Sequence, residues 1–227
     1  IGPFFPENIE KASAWAKANQ KQMIIPVLTP TKVLENNKFV TTVVPSDYTL
    51  IGGMAKHLAI SESDKRVFLI KANNQKDIDK NNFFKMAFEK YATHNKLVEI
   101  SGTSQSEIAN QLRENDTAIF VSLTEDAKNV MSFINNINAA KNQSGRKGKS
   151  PAIVYGMKSW NDIDPLNSYY KNRFNLHTPN TNFVDYHGEL VNHFLKQYRE
   201  QYKTEPGPFA MQAFDVVVGV FYEHLIL

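Results

Sequence analysis

Five short apolar segments, each followed by a turn and then by a stretch with helical periodicity, dominate the middle of the chain. They lie at residues 66–70, 97–100, 118–121, 152–155 and 174–177. Strands that alternate with helices in this way are typical of a parallel sheet covered by helices. An incomplete copy of the pattern flanks these segments on both sides, so the sequence predicts two α/β lobes with a cleft between them.

The composition limits the kinds of partner and site that the chain can have. With 227 residues, 42% of them hydrophobic, the chain is long enough to bury one large core or two modest ones. Its 26 basic and 23 acidic residues are mixed along the sequence, which disfavours binding to nucleic acid. The absence of cysteine excludes disulfides and thiolate metal sites. No apolar run approaches the ~20 residues that cross a bilayer.

The outer segments predict the elements of the first lobe. A strand end at 1–5 precedes a helix that begins at Pro6, and strands follow at 23–28 and 39–44. Ser46 caps a helix that runs to about Ala59. The closing segment, 209–227, is predicted as a helix because of its length. The first lobe is therefore expected to comprise residues 1–60 with 186–227, and the five-stranded second lobe residues 61–185.

Four motifs in this order resemble the type I periplasmic ligand-binding family, whose best-known members are the branched-chain amino-acid-binding proteins. They are Ile-Gly-Pro at 1–3, the strand and loop at 25–31, Val-Pro-Ser-Asp-Tyr at 44–48, and the helix, proline turn and helix at 194–221. The resemblance covers essentially the whole chain. It implies the two-lobed type I periplasmic-binding fold, in which each lobe is a parallel sheet flanked by helices.

The resemblance also implies that the first lobe is incomplete. Members of the family normally begin with two or more strand–helix units before the Ile-Gly-Pro strand. An unpaired sheet edge of that size favours aggregation. We therefore expect the protein to continue upstream of Ile1, or another chain to complete the sheet.

In the family, a small ligand lies between the lobes, and hydroxyls and helix N-terminal amides hold its carboxylate. Here Phe4, Phe5 and Pro6 stand where a serine is expected, so a hydroxyl and an amide are missing. The ligand-facing loops of the second lobe match residues 73–74, 122–124 and 155–158. Family members that bind amino acids usually have an aromatic residue and an acidic residue there. Tyr155 matches the aromatic residue, but no residue matches the acidic one. The resemblance thus disfavours a free amino acid as ligand. The residues that it implies for ligand binding are Phe4, Phe5, Thr29, Thr31, Asn73, Asn74, Thr124, Tyr155 and Lys158.

Other interpretations of these residues stay open. Phe4 and Phe5 can equally pack against an upstream segment, and Thr29 and Thr31 can equally cap the next helix. Gly148-Lys149-Ser150 is not a phosphate-binding loop, because Gln143 stands where that motif needs glycine. The six histidines show no metal-binding spacing, and no nucleophile elbow is present. The sequence therefore predicts no catalysis, no cofactor and no metal.

Together these observations predict an extracytoplasmic solute-binding or sensory domain that closes around a small ligand. An amino acid, a peptide and a cell-wall fragment are the candidate ligands, and a membrane transporter or an envelope protein is the candidate partner. We expect a periplasmic or extracytoplasmic location, with membrane anchoring through residues upstream of Ile1. One alternative is a cell-envelope interaction or scaffolding module that keeps the fold without the pocket. Another is an α/β enzyme whose site uses upstream residues.

Overall fold

The chain forms two compact units in a computed structural model that describes residues 1–27, 29–112, 116–143, 151–181 and 184–226. The first unit consists of Ile1–Asp47 and the chain from Thr181 onward, and the second is Tyr48–Asn180. Gly148-Lys149-Ser150 lies outside the described residues. Among the helices described, none combines the length and the apolar character that a membrane-spanning segment needs.

Helices and short parallel strands alternate along the chain. The helices are α1 (Pro6–Asn19), α2 (Thr31–Leu34), α3 (Asp47–Ser61), α4 (Gln75–Tyr91), α5 (Gln105–Gln111), α6 (Ala127–Gln143), α7 (Ser168–Arg173), α8 (Glu189–Tyr202) and α9 (Pro208–Ile226). The strands are β1 (Met23–Ile25), β2 (Val40–Thr42), β3 (Arg66–Ile70), β4 (Leu97–Ile100), β5 (Ala118–Val121) and β6 (Ala152–Tyr155). A 3-10 helix, Lys158–Asp162, follows β6.

In the first unit, β1 and β2 pair in parallel, with Met23 opposite Val40. The Gly2 amide donates to the Ile24 carbonyl at 2.9 Å, but residues 1–5 do not form the predicted strand end. β1 ends sooner than the predicted 23–28 because Pro26 has no amide to continue the ladder. A small core surrounds this pair; it consists of Ile9, Ala16, Ile25, Val33 and Val40.

In the second unit, β4, β3, β5 and β6 form a parallel sheet in that order. All four residues of β5 are buried, as expected for a strand covered on both faces. The predicted fifth strand, 174–177, is reduced to one parallel bridge beside β6, between Tyr155 and His177. The segment still pairs with β6, because Val154 donates to the Phe174 carbonyl, His177 to the Val154 carbonyl and Gly156 to the His177 carbonyl. Asn175 has φ of +40°, a left-handed conformation that ends α7 and interrupts extended backbone.

The boundary between the units differs from the predicted division at residues 60 and 186. The predicted division places α3 in the first lobe, but its apolar face packs into the core of the second unit. Ile51, Ala55 and Leu58 are completely buried in that core. The local pattern of an amphipathic helix does not specify which sheet it covers, so the division lies at 47 and 181 instead.

Candidate ligand-binding site

A polar pocket of about 150 Å³ lies at the carboxyl ends of β3, β4 and β5. The loops that follow these strands, 71–73, 101–103 and 122–124, form its walls together with α4 and α6. Because β3 lies between β4 and β5, the chain leaves β3 towards β4 and leaves β5 towards β6 on the opposite side. Open α/β sheets bind ligands at such a topological switch point.

Hydroxyl and amide groups dominate the polar part of the pocket, above an apolar floor. Ile70, Leu123 and Phe133 form the floor and are all buried. The uncharged polar side chains that line the pocket belong to Asn73, Asn81, Ser101, Thr103, Ser122, Thr124, Asn129 and Ser132. Asp77 and Lys71 are the charged residues of the lining.

Gly102 allows the loop after β4 to lie close to this floor. A Cβ atom at this position would lie 2.5 Å from Cγ2 of Ile70 and 3.3 Å from Cδ2 of Phe133. Its carbonyl accepts a hydrogen bond from the Asn136 side-chain amide at 3.0 Å, which fixes the loop to α6. A larger residue at position 102 would therefore lift the loop away from α6.

Trp160 in the 3-10 helix positions the loop after β5. Its side chain is completely buried, and Nε1 donates a hydrogen bond to the Thr124 carbonyl at 2.8 Å. The Phe133 ring meets the Trp160 ring edge-on at 6.4 Å. A Cβ atom on Gly156 would lie 2.4 Å from the Trp160 ring, so glycine is needed for the indole to reach this place.

The first turn of α4 contributes Asp77, which the sequence analysis missed. Asn74 caps this helix, because its Oδ1 accepts from the Asp77 amide at 2.9 Å. Its Nδ2 in turn donates to Oδ2 of Asp77 at 2.8 Å. The signal was present as an Asn-x-x-Asp spacing before a helical run, which resembles a capping box.

Glu125, next to the pocket, is held by two lysines of α4. Its Oε2 accepts from Nζ of Lys80 at 2.5 Å and from Nζ of Lys76 at 3.1 Å. Burial favours the neutral form of this carboxyl group, but the hydrogen bonds and charges of the two lysines outweigh it, so the pKa of Glu125 is lowered. Lys80 is 2% exposed and is thus a buried cation with an ionised partner.

Ser122 combines burial of the residue with a side chain that has no evident structural role. It is 2% exposed and lines the pocket, while its amide continues the sheet by donating to the Tyr155 carbonyl at 3.0 Å. No hydrogen bond joins its hydroxyl to any residue that the structure describes. The oxygen is not one of the completely buried side-chain atoms without a partner, so it keeps a small accessible surface in the pocket. It is therefore available to a ligand.

The predicted ligand-binding residues of the second unit do not all lie in one site. Asn73 and Thr124 line the pocket, whereas Asn74 serves as the cap of α4. Lys158 is exposed at the start of the 3-10 helix. Tyr155 is buried at the end of β6 and lines a separate groove.

In the first unit, Phe4 and Phe5 are 62% and 65% exposed. Thr29 is buried, and its hydroxyl donates to the Val27 carbonyl at 2.9 Å. Thr31 is the first residue of α2. For these four residues, ligand binding stays a prediction.

The groove beside Tyr155 has a volume of about 360 Å³ and lies along α3. The Tyr155 ring stacks on the His177 ring at 4.7 Å between centroids, and the centroid of the His57 ring lies 6.3 Å from that of Tyr155. Burial and, to a smaller extent, the charge of Glu62 raise the pKa of Tyr155 to about 12. Burial and then His57 lower the pKa of His177. Both rings are therefore neutral at neutral pH.

Superposition on solved structures identifies the fold of the chain. No protein-family model and no curated protein sequence matches the chain. An ABC transporter substrate-binding protein from Desulfitobacterium hafniense superposes with a TM-score of 0.57 at 15% identity, over 96% of this chain and 61% of its own. The chain has the type I periplasmic-binding fold.

Two further structures support this fold. A protein assigned to a branched-chain amino acid ABC transporter from Rhodospirillum rubrum gives a TM-score of 0.58 at 14% identity, again over 96% of this chain and 61% of that one. LpoA from Haemophilus influenzae gives a TM-score of 0.51 at 10% identity, over 94% of this chain and 37% of its own. The chain thus spans 61% of the length of the first two proteins. The predicted type I periplasmic-binding fold is confirmed, and at these identities the likeness shows the fold alone.

The described residues offer no group of three or more histidine, aspartate or glutamate side chains that could hold a metal ion. The lining of the polar pocket is suited to hydrogen bonding. Its donors and acceptors come from the switch-point loops, and its shape is fixed by Gly102, Gly156 and Trp160.

Proposed function

We propose that this protein is a solute-binding or sensory domain that binds a small ligand, without catalysis, at the polar pocket of the second unit. The observation that carries the proposal is the Ser122 hydroxyl, which bonds to no described residue and lies at the switch point of the sheet. The residue is only 2% exposed and lines the pocket, so the small accessible part of its hydroxyl opens into that space. A ligand in the pocket can therefore donate to this hydroxyl or accept from it.

The similar structures support the class of function. They include substrate-binding proteins of ABC transporters, one of them in complex with leucine at a TM-score of 0.53. An extracytoplasmic location, a transporter or envelope partner, and closure of the two lobes around the ligand belong to this proposal. The pocket volume is below the roughly 300 Å³ of typical small-molecule sites. It therefore suits a small ligand or one end of a longer one.

A thermal-shift screen of the full chain against amino acids, small peptides, sugars and cell-wall fragments tests the proposal. A ligand at about a hundred times its Kd stabilises the native state by about 2.7 kcal/mol. For a chain of this length, that raises Tm by about 5–10 °C. Consistent absence of any shift would contradict the proposal and favour the alternative of a scaffolding module without a pocket.

A matched pair of variants assigns the effect to the pocket. Asn73→Ala removes an amide that lines it, and Asn110→Ala removes an exposed amide on α5, away from the lining. We expect the first variant to reduce the ligand-induced shift and the second to leave it unchanged. Equal effects of the two variants would place the ligand elsewhere.

A further inference from the structure

We infer that the ligand of this pocket is a neutral, hydroxyl-rich ring, that is, a sugar unit, rather than a free amino acid. The inference rests on the proposed function and names its ligand class. Three properties of the pocket support it: the balance of its charges, the chemistry of its unpaired polar groups, and its apolar floor.

Among the described residues, the pocket lining contains one buried carboxylate and one exposed cation. The Asp77 carboxylate accepts from the Asn74 amide and lies in the first turn of α4, where the helix dipole favours a negative charge. It can also accept hydrogen bonds from the hydroxyls of a ligand. Lys71 is exposed, so an ion pair with it would be weak in water. The amino groups of Lys76 and Lys80 bond to Glu125, outside the lining. The carboxylate of a zwitterion would therefore lose its hydration without a buried cation in the lining.

The unpaired polar groups both donate and accept hydrogen bonds. The Ser122 hydroxyl can do either, and the Asn73 and Asn129 side chains each carry a carbonyl and an amide. A carboxylate can only accept and an ammonium group can only donate. The alternating hydroxyls of a sugar offer both functions at every position. They therefore match this set more fully than the ends of an amino acid do.

The floor of the pocket suits the apolar face of a ring. Leu123 and Phe133 are buried beneath the polar rim, and Gly102 keeps the rim close to them. A pyranose ring presents C–H groups on its faces and hydroxyls around its edge. With about 150 Å³, the pocket has room for a small ligand of this shape or for the terminal unit of a longer saccharide.

Isothermal titration of the full chain with N-acetylglucosamine, glucose, L-leucine and L-glutamate tests the ligand class. We expect a neutral sugar to bind and the amino acids not to bind. The affinity of a neutral ligand should change by less than about twofold between about 0.05 and 0.5 M salt, because salt screens only charge interactions. Binding of an amino acid without binding of either sugar would overturn the inference and leave the proposed function standing. Absence of binding to every ligand, including the wider screen above, would overturn both.

The variant pair Ser122→Ala and Ser168→Ala tests the assignment of the hydroxyl. Ser168 is an exposed serine at the start of α7 in the same unit. We expect Ser122→Ala to weaken sugar binding by about tenfold, the equivalent of one lost hydrogen bond, and Ser168→Ala to leave it unchanged. Urea unfolding of both variants should show unchanged midpoints, which separates binding from folding. Sugar binding that Ser122→Ala does not weaken would overturn the assignment.

Discussion

Replacing Gly156 by alanine should destabilise the second unit through Trp160. The added Cβ would lie 2.4 Å from two atoms of the indole ring, whereas carbon atoms in contact are normally about 3.5–4.0 Å apart. Because Trp160 is completely buried, it can move only by displacing Phe133 or by giving up its hydrogen bond to the Thr124 carbonyl.

The expected loss of stability follows from these two effects. Overpacking a core costs about 1–3 kcal/mol, and a lost hydrogen bond costs about 0.5–1.5 kcal/mol. Together they predict a loss of about 2–4 kcal/mol for Gly156→Ala. With an m-value of about 2 kcal/mol per M, the urea midpoint should fall by about 1–2 M. Thr124 lines the pocket, so ligand binding should weaken as well.

Tryptophan fluorescence can follow this transition at the site itself. The chain has two tryptophans, and Trp15 is 59% exposed, so Trp15→Phe leaves the buried Trp160 as the reporter. Gly53→Ala is the matched control, because a Cβ on this residue of α3 meets no atom within 4 Å. It should stabilise the helix by up to about 1 kcal/mol. The reasoning is refuted if Gly156→Ala keeps the wild-type midpoint, or if both glycine variants lose stability equally.

Three further predictions concern a cap, an ion pair and a histidine. Asn74→Ala should cost about 0.5–2 kcal/mol in urea unfolding, because α4 loses its cap. Glu125→Gln should destabilise the protein at neutral pH by leaving Lys80 without an ionised partner. Since the folded pKa of Glu125 is lowered, the difference from wild type should shrink as pH falls below about 4.5, where the unfolded carboxyl group takes up its proton, and should be lost once pH falls below the lower pKa of the folded state. The folded pKa of His177 lies below 6.5, so wild-type stability should fall as pH drops below that value, and His177→Gln should flatten the curve.

The strands of the second unit were predictable because their signal is local. Continuous apolar runs between turns specify buried parallel strands, and the bounds of β3, β4, β5 and β6 agree with the predicted ones. Residues 174–177 carry a similar pattern, but the left-handed conformation of Asn175 is not visible in the sequence. The assignment of α3 failed for a related reason, since its partner sheet is set by tertiary packing.

The site was only partly predictable. The family resemblance led to Asn73 and Thr124, which do line the pocket. Ser122 lies in the same predicted loop, yet its importance depends on its burial in the pocket lining, which only the folded arrangement shows. Tyr155 ends its strand as expected, but its ring stacks on His177, because the chain after α7 returns alongside β6.

The division of the chain at residues 47 and 181 has a consequence for biosynthesis. The second unit is one uninterrupted stretch, whereas the first needs both flanking stretches. A ribosome releases residues 48–180 before the helices from Glu189 onward exist. The middle of this polypeptide can thus reach its native state during translation, while the N-terminal stretch waits for the last helices before its own unit can form.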